Sequence, residues 1–201
     1  GGGQAGSPVT LTILGQTLSG RFTFQKDTVN NIVGLAIMDV TLALGNGSNP
    51  FVTVTVPQGA LLITSQGLAG SLTAGIALSP SLSDDFKFSG TVTVQVNNTA
   101  SAVHKTFAIG DAGSVTLDLP AGPYLRVQAG LVGQPVELEI FGQKLQAVFA
   151  FEQLTTAAGT KVVRVGFTEV SLFLGDDKGT ASTSDDVGVT VTGGSGSVLI
   201  T

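Results

Sequence analysis

The chain reads as all-β: antiparallel, hairpin-rich and built from elongated sandwich-like repeat units. Three observations predict this. The stretch Pro8 to Gln25, PVTLTILGQTLSGRFTFQ, returns 127 positions later at Pro135 to Glu152 as PVELEIFGQKLQAVFAFE. Apolar residues alternate with period two through most segments, the signature of half-buried strands. No stretch carries a 3.6-residue apolar stripe bounded by caps, so helices are not expected.

The echo continues. Val40-Thr41-Leu42-Ala43-Leu44-Gly45 pairs with Val170-Ser171-Leu172-Phe173-Leu174-Gly175, 130 positions on. Leu62-Ile63-Thr64 pairs with Leu199-Ile200-Thr201, 137 positions on. Offsets that grow while motifs persist place insertions in loops, where added length costs least. The expected organisation is a linker at residues 1–7, one β unit at 8–134, and the first half of a second, homologous unit at 135–201. A period near 130 favours a sandwich-like unit; the alternative is a β-solenoid, whose coils are usually about 20–30 residues.

Taken in order, Val9, Leu11 and Ile13 alternate with threonines, and Leu18, Phe22 and Phe24 resume after Gly15-Gln16. Gly20 occupies the inward phase between Leu18 and Phe22, which predicts close packing or a bend. Lys26 to Asn31 is a polar turn. The next strand slips phase at Met38-Asp39, between Leu35/Ile37 and Val40/Leu42/Leu44, and its echo slips at Thr168-Glu169. A slip at both places predicts a β-bulge that turns Asp39 and Glu169 to solvent. Gly45 to Pro50 is a loop. Phe51 to Val56, Ala60 to Thr64 and Leu68 to Leu78 follow as short strands, linked by turns at Pro57-Gln58-Gly59 and Ser65-Gln66-Gly67. Pro80 to Asp85 is another loop. Strands are expected at Phe86 to Val96, Val103 to Ile109, Val115 to Leu119 and Tyr124 to Gln128, with a turn at Asn97 to Ser101.

Charged residues make up 11% of the 201, which argues against disorder. A net charge of −5 and a pI of about 4.6 argue against nucleic acid and anionic membranes, both of which need a basic face. With no cysteine, thiolate metal sites, disulfides and cysteine nucleophiles are excluded. No apolar run reaches the roughly 20 residues of a membrane-spanning helix. A membrane barrel would want aromatic girdles, and Trp is absent with a single Tyr.

The strings GPYLRVQAG, GQTLSGRFTFQ and KVVRVGFTEVSLFLGD, with the GSVLIT and GLAG junction segments, resemble tandem repeats of very large bacterial secreted or cell-surface, adhesin-like proteins. That resemblance covers nearly the whole chain. It implies a repetitive extracellular stalk or adhesive region and no catalytic residue. The expected role is a stalk, filament or adhesin segment that partners itself or neighbouring repeats through open strand edges.

The chemistry-bearing residues agree with a non-enzymatic role. His104 is the only histidine, and no GxSxG or HExxH surrounds it. The acids lie mainly in loops and differ between the echoes, as in Thr10 and Thr12 against Glu137 and Glu139. Calcium is the best cofactor candidate, because hard cations take carboxylates from flexible loops. Asp176, Asp177, Asp185 and Asp186 flank one loop and are the candidate ligands; Asp84-Asp85 is a weaker pair. The alternative role is thus an extracellular module binding calcium or carbohydrate through its loops. The pairs Thr10/Thr12, Thr53/Thr55, Thr91/Thr93 and Thr190/Thr192 resemble ice-binding threonine arrays, but Glu137 and Glu139 break the ladder. Asn46-Gly47-Ser48 and Asn97-Asn98-Thr99 fit the glycosylation pattern.

Overall fold

The structure is a computed structural model that describes residues 2, 7–13, 16–45, 50–79, 86–156, 159–180 and 182–201. The candidate pair Asp84-Asp85 and Asn46 fall outside these residues. The strands are β1 (Val9–Ile13), β2 (Gln16–Asp27), β3 (Ile32–Gly45), β4 (Pro50–Thr64), β5 (Gly67–Leu78), β6 (Phe86–Asn97), β7 (Val103–Ala108), β8 (Ser114–Leu119), β9 (Tyr124–Ala129), β10 (Val136–Ile140), β11 (Gln143–Thr155), β12 (Lys161–Asp176) and β13 (Val187–Ile200). A single 3-10 turn at Gly110–Ala112 is the one helical segment among the described residues.

All pairings are antiparallel, so the solenoid alternative, with its parallel coils, is not formed. Eleven strands make one open sheet in the order β1-β2-β3-β4-β5-β6-β10-β11-β12-β13. The eleventh, β9, shares a lane with β10. Both lie between β6 and β11: β9 pairs with Val92–Asn97 of β6 and Phe149–Leu154 of β11, β10 with Phe86–Ser89 and Gln143–Ala147. Residues 130–135 leave that lane between them, held by mutual hydrogen bonds of Leu131 and Gln134. The predicted boundary at Gln134/Pro135 therefore falls inside a continuous sheet.

The pairing of β1–β4 recurs in β10–β13. Leu18↔Leu42, Phe22↔Ile37 and Phe24↔Leu35 in β2–β3 correspond to Leu145↔Leu172, Phe149↔Phe167 and Phe151↔Val165 in β11–β12. Val33↔Ile63 corresponds to Val163↔Ile200. Both slips are bulges, with Asp39 at φ 49° and Glu169 at φ 54°. A left-handed backbone is unfavourable for most residues but open to residues whose polar side chains bond locally. Asp39 lies out toward solvent and pairs with Arg21. Glu169 does not point freely to water: it is half-buried and accepts from the Gly133 N–H at 3.0–3.1 Å. Gly20 meets the expectation of close packing, because an added Cβ would stand 2.5 Å from Val40 Cγ2.

One predicted turn is absent. Pro57-Gln58-Gly59 lies inside β4, which is a single 15-residue strand. The β4–β5 register shifts between Thr55 and Gln58, so Pro57 sits at a bulge, where its missing N–H leaves no ladder bond unmade.

Residues directly opposed in neighbouring strands share a face, and side chains alternate between faces. One face is polar over much of its area and carries the second layer of the sandwich, which among the described residues is only the β7–β8 hairpin. There Phe107, Ile109, Val115, Leu117 and Leu119 bury against Ala36, Ala60, Leu62 and Ala69. Small residues make room: a Cβ at Gly34 would run into the Phe107 ring. The positions matching Gly34, Ala36, Ala60 and Leu62 in β12 and β13 are Arg164, Gly166, Ser197 and Leu199, which build no such seat. The opposite face is apolar from β1 to β13. No element of the chain packs across it among the described residues.

Candidate functional site

Two kinds of surface bear on function: the edges of the sheet and the acidic loop. At one edge, β1 pairs with β2 as β10 pairs with β11, and Gly2 bridges Phe22 where Ala129 meets Phe149. Beyond that bridge Thr23–Asp27 of β2 has no outer partner among the described residues. Its counterpart on β11, Ala150–Leu154, is covered by β9. At the other edge β13 pairs only with β12 among the described residues, whereas β4 pairs with both β3 and β5. Unpaired strand edges are templates for further strand addition.

A glutamine amide serves as a side-chain clamp near the same end of both halves. Gln16 Nε2 donates to Gly45 O at 2.6 Å, and Gly45 N donates to Gln16 Oε1 at 2.6 Å. Gln143 does the same with Gly175, at 2.8 and 2.7 Å. Each amide thus supplies both partners that a strand would give a glycine backbone. The signal was present in the echo, since Gln16 matches Gln143 and Gly45 matches Gly175, but spacing alone did not reveal the bond.

The acidic loop gathers its four carboxylates at one end of β12 and β13, and each has its own surroundings. Asp176 accepts from the Lys178 N–H at 2.9 Å and from Lys178 Nζ at 2.5 Å. Asp177 accepts from Lys144 Nζ at 3.0 Å and from the Gly179 N–H at 3.1 Å. The Lys178 ammonium holds the Asp176 carboxyl below its ordinary range, and the Lys144 ammonium does so for Asp177. Asp185 accepts from Thr180 Oγ1 at 3.1 Å. Asp186 Oδ1 is buried with no hydrogen-bond partner among the described residues. Among the described residues no three acids or histidines converge as a metal-binding group. Two lysines occupy the positions where a cation would compete for Asp176 and Asp177.

The remaining candidates are structural in placement. His104 Nδ1 lies 3.4 Å from Asp118 Oδ1 on the exposed side of the hairpin. Asn97 is fully buried. It donates to Ser101 O at 2.9 Å and Pro120 O at 2.7 Å, and accepts from the Thr99 N–H at 2.9 Å and Thr99 Oγ1 at 2.8 Å. Its amide is fully used in tying β6 to the base of the hairpin, so the folded chain offers no glycan acceptor there. The threonines form two rungs on the polar face, Thr10-Ser19-Thr41-Thr55 and Thr12-Thr17-Ala43-Thr53, from β1 to β4. Charge enters that face at Glu137 and Glu139 of β10. Arg126, Glu152 and Arg164 form an ion-pair row across β9, β11 and β12, with Arg126 Nη2 at 2.6 Å and Arg164 Nη1 at 3.6 Å from Glu152. The Arg164 side chain is 61% exposed and that of Arg126 42%, so water screens the row and it contributes little stability.

Comparison with known proteins gives no match: no family model, no curated protein and no solved structure corresponds to this chain. Among the described residues no helix is long and apolar enough to cross a membrane.

Proposed function

We propose that the chain is a structural repeat segment of a secreted or surface-attached protein. It serves as part of a stalk, filament or adhesin and joins its neighbours by strand pairing at its edges. The observation that carries this reading is the seam at β6. There the first unit meets the second through the ladders of β6 with β10 and of β9 with β11, and the second unit then repeats the register of the first. On this reading residues 8–134 are one unit and 135–201 begin the next. The units share one continuous sheet, so each new unit covers an edge of the last. The work done is mechanical, and no catalytic group is required.

The test extends the chain. A second copy of residues 65–134 placed after Thr201 would continue β13 in the way that β5 continues β4. The expected result is slower amide exchange throughout β13 and a higher melting temperature for one cooperative transition. A second, independent transition, with β13 amides exchanging as fast as before, would contradict the proposal.

A further inference from the structure

Among the described residues nothing in the chain covers the apolar face opposite the hairpin, and we propose that a second copy of this chain covers it, sheet against sheet, closing a sandwich between two molecules. The inference rests on this face and does not depend on the edge pairing proposed above.

Away from the strand ends the face is apolar. Successive register partners on this side run from Phe24 to Leu35 and Leu61, and from Leu72 to Val94 and on through β9, β11 and β12 to Val198, which takes the face from β2 to β13. Polar side chains on this side, such as Lys26, Gln143 and Asp176, lie within three residues of a strand end. Yet Phe24 is 58% exposed, Val198 53% and Ile200 56%. Glycines here are lidded by neighbouring side chains: Phe167 stands over Gly196, and Leu72 over Gly59.

Size selects the occupant. Ten lanes at about 4.8 Å, with some twelve residues at about 3.3 Å each, give a face on the order of 1,800 Å². Each partner in a standard stable interface contributes about 800 Å². The largest apolar patch on a typical monomer is about 300–600 Å². A single helix or extended peptide would cover a strip. A hydrocarbon chain would suit the trough of about 350 Å³ over Gly59 and Gly70, between Ile37 and Val94, and leave the other lanes wet. A foreign partner bearing charge would find neither an ion pair nor a free backbone group in the middle of the face. A second copy matches the face in extent, in the absence of charge from its middle and in hand of twist. Two like-twisted sheets align face to face about 10 Å apart, and a two-fold relation presents the same patch from both sides and closes the assembly at two.

Sedimentation of the full chain from low to high micromolar concentration tests this. The expected mass is twice the 20.2 kDa of one chain. Leu72→Glu, or Val198→Glu should the first fail to fold, puts a carboxylate into the covered face. Either is expected to weaken the dimer by ~100-fold or more, leaving a folded monomer with unchanged far-ultraviolet circular dichroism. Thr192→Pro, in the bulged part of the β13 edge, leaves the dimer intact, and any larger species collapse to that dimer. A wild-type chain of 20.2 kDa at every concentration would overturn the proposal. So would a dimer that survives both glutamates, one lost only with Thr192→Pro, or a monomer whose face instead takes up dodecyl detergent or phosphatidylcholine vesicles.

Discussion

Gly34→Ala isolates the contact that holds the hairpin to the sheet. Gly34 lies on β3 directly beneath Phe107, which has no exposed surface. An added Cβ would fall well inside 3 Å of the ring edge, against the roughly 3.5–4.0 Å at which carbon atoms pack. The ring must move by more than about 1 Å, and Ile109, Leu117 and Leu119 around it are equally buried, so no empty space receives it. Overpacking of this kind costs about 1–3 kcal/mol. For a chain of this length that lowers the melting temperature by about 3–10 °C. The control is Gly166→Ala, on the same face of β12, where nothing lies within 4 Å of the added methyl. It should be neutral or stabilising by up to about 1 kcal/mol, because only the unfolded chain loses freedom. Phe107→Leu in the Gly34→Ala background should recover part of the loss, measured as a coupling in a double-mutant cycle followed by urea unfolding. Equal stability of the two alanine variants, or no coupling with Phe107, would refute the packing argument.

Asn97→Asp removes two amide hydrogens given to the Ser101 and Pro120 carbonyls and places a carboxylate beside them, at a side chain that is fully buried; a loss of about 2–5 kcal/mol by urea unfolding is expected. Gln16→Ala and Gln143→Ala should each cost about 1–2 kcal/mol, and by similar amounts, since the two clamps have the same geometry. Calcium should leave the melting temperature unchanged, and a chelator likewise, because Asp176 and Asp177 are already paired with Lys178 and Lys144. A rise of several degrees with calcium would show that those lysines yield to the ion.

The repeated register was legible because a two-residue alternation cannot slip without reversing its faces. Leu18, Phe22 and Phe24 recur in order as Leu145, Phe149 and Phe151, and the phase slips at Asp39 and Glu169 mark bulges that the backbone angles bear out. Pro57 misled because a proline followed by Gln-Gly reads locally as a turn. Its neighbours Val56 and Ala60 continue one strand because a bulge absorbs the missing donor. The shared lane of β9 and β10 was not legible, since it depends on β6 pairing with residues up to 54 positions away, which no local pattern encodes. Nor does alternation say which face receives a cover. A hairpin seat shows only as a coincidence of small residues, Gly34, Ala36, Ala60 and Ala69, drawn from three strands. The four aspartates flank one loop, but no three of them converge among the described residues. Their spacing in sequence could not show that Lys144, 33 positions before Asp177, would reach it.

Interstrand backbone contacts, measured by nuclear Overhauser effects on an isotope-labelled sample, test the claim of one register used twice in one sheet. The account predicts contacts for Leu18–Leu42 and Leu145–Leu172 alike. It also predicts that β6 touches both Leu125, through Val96, and Leu138, through Phe88. Contacts within residues 8–97 and within 136–201, but none joining β6 to β10, would show two separate sheets and contradict it.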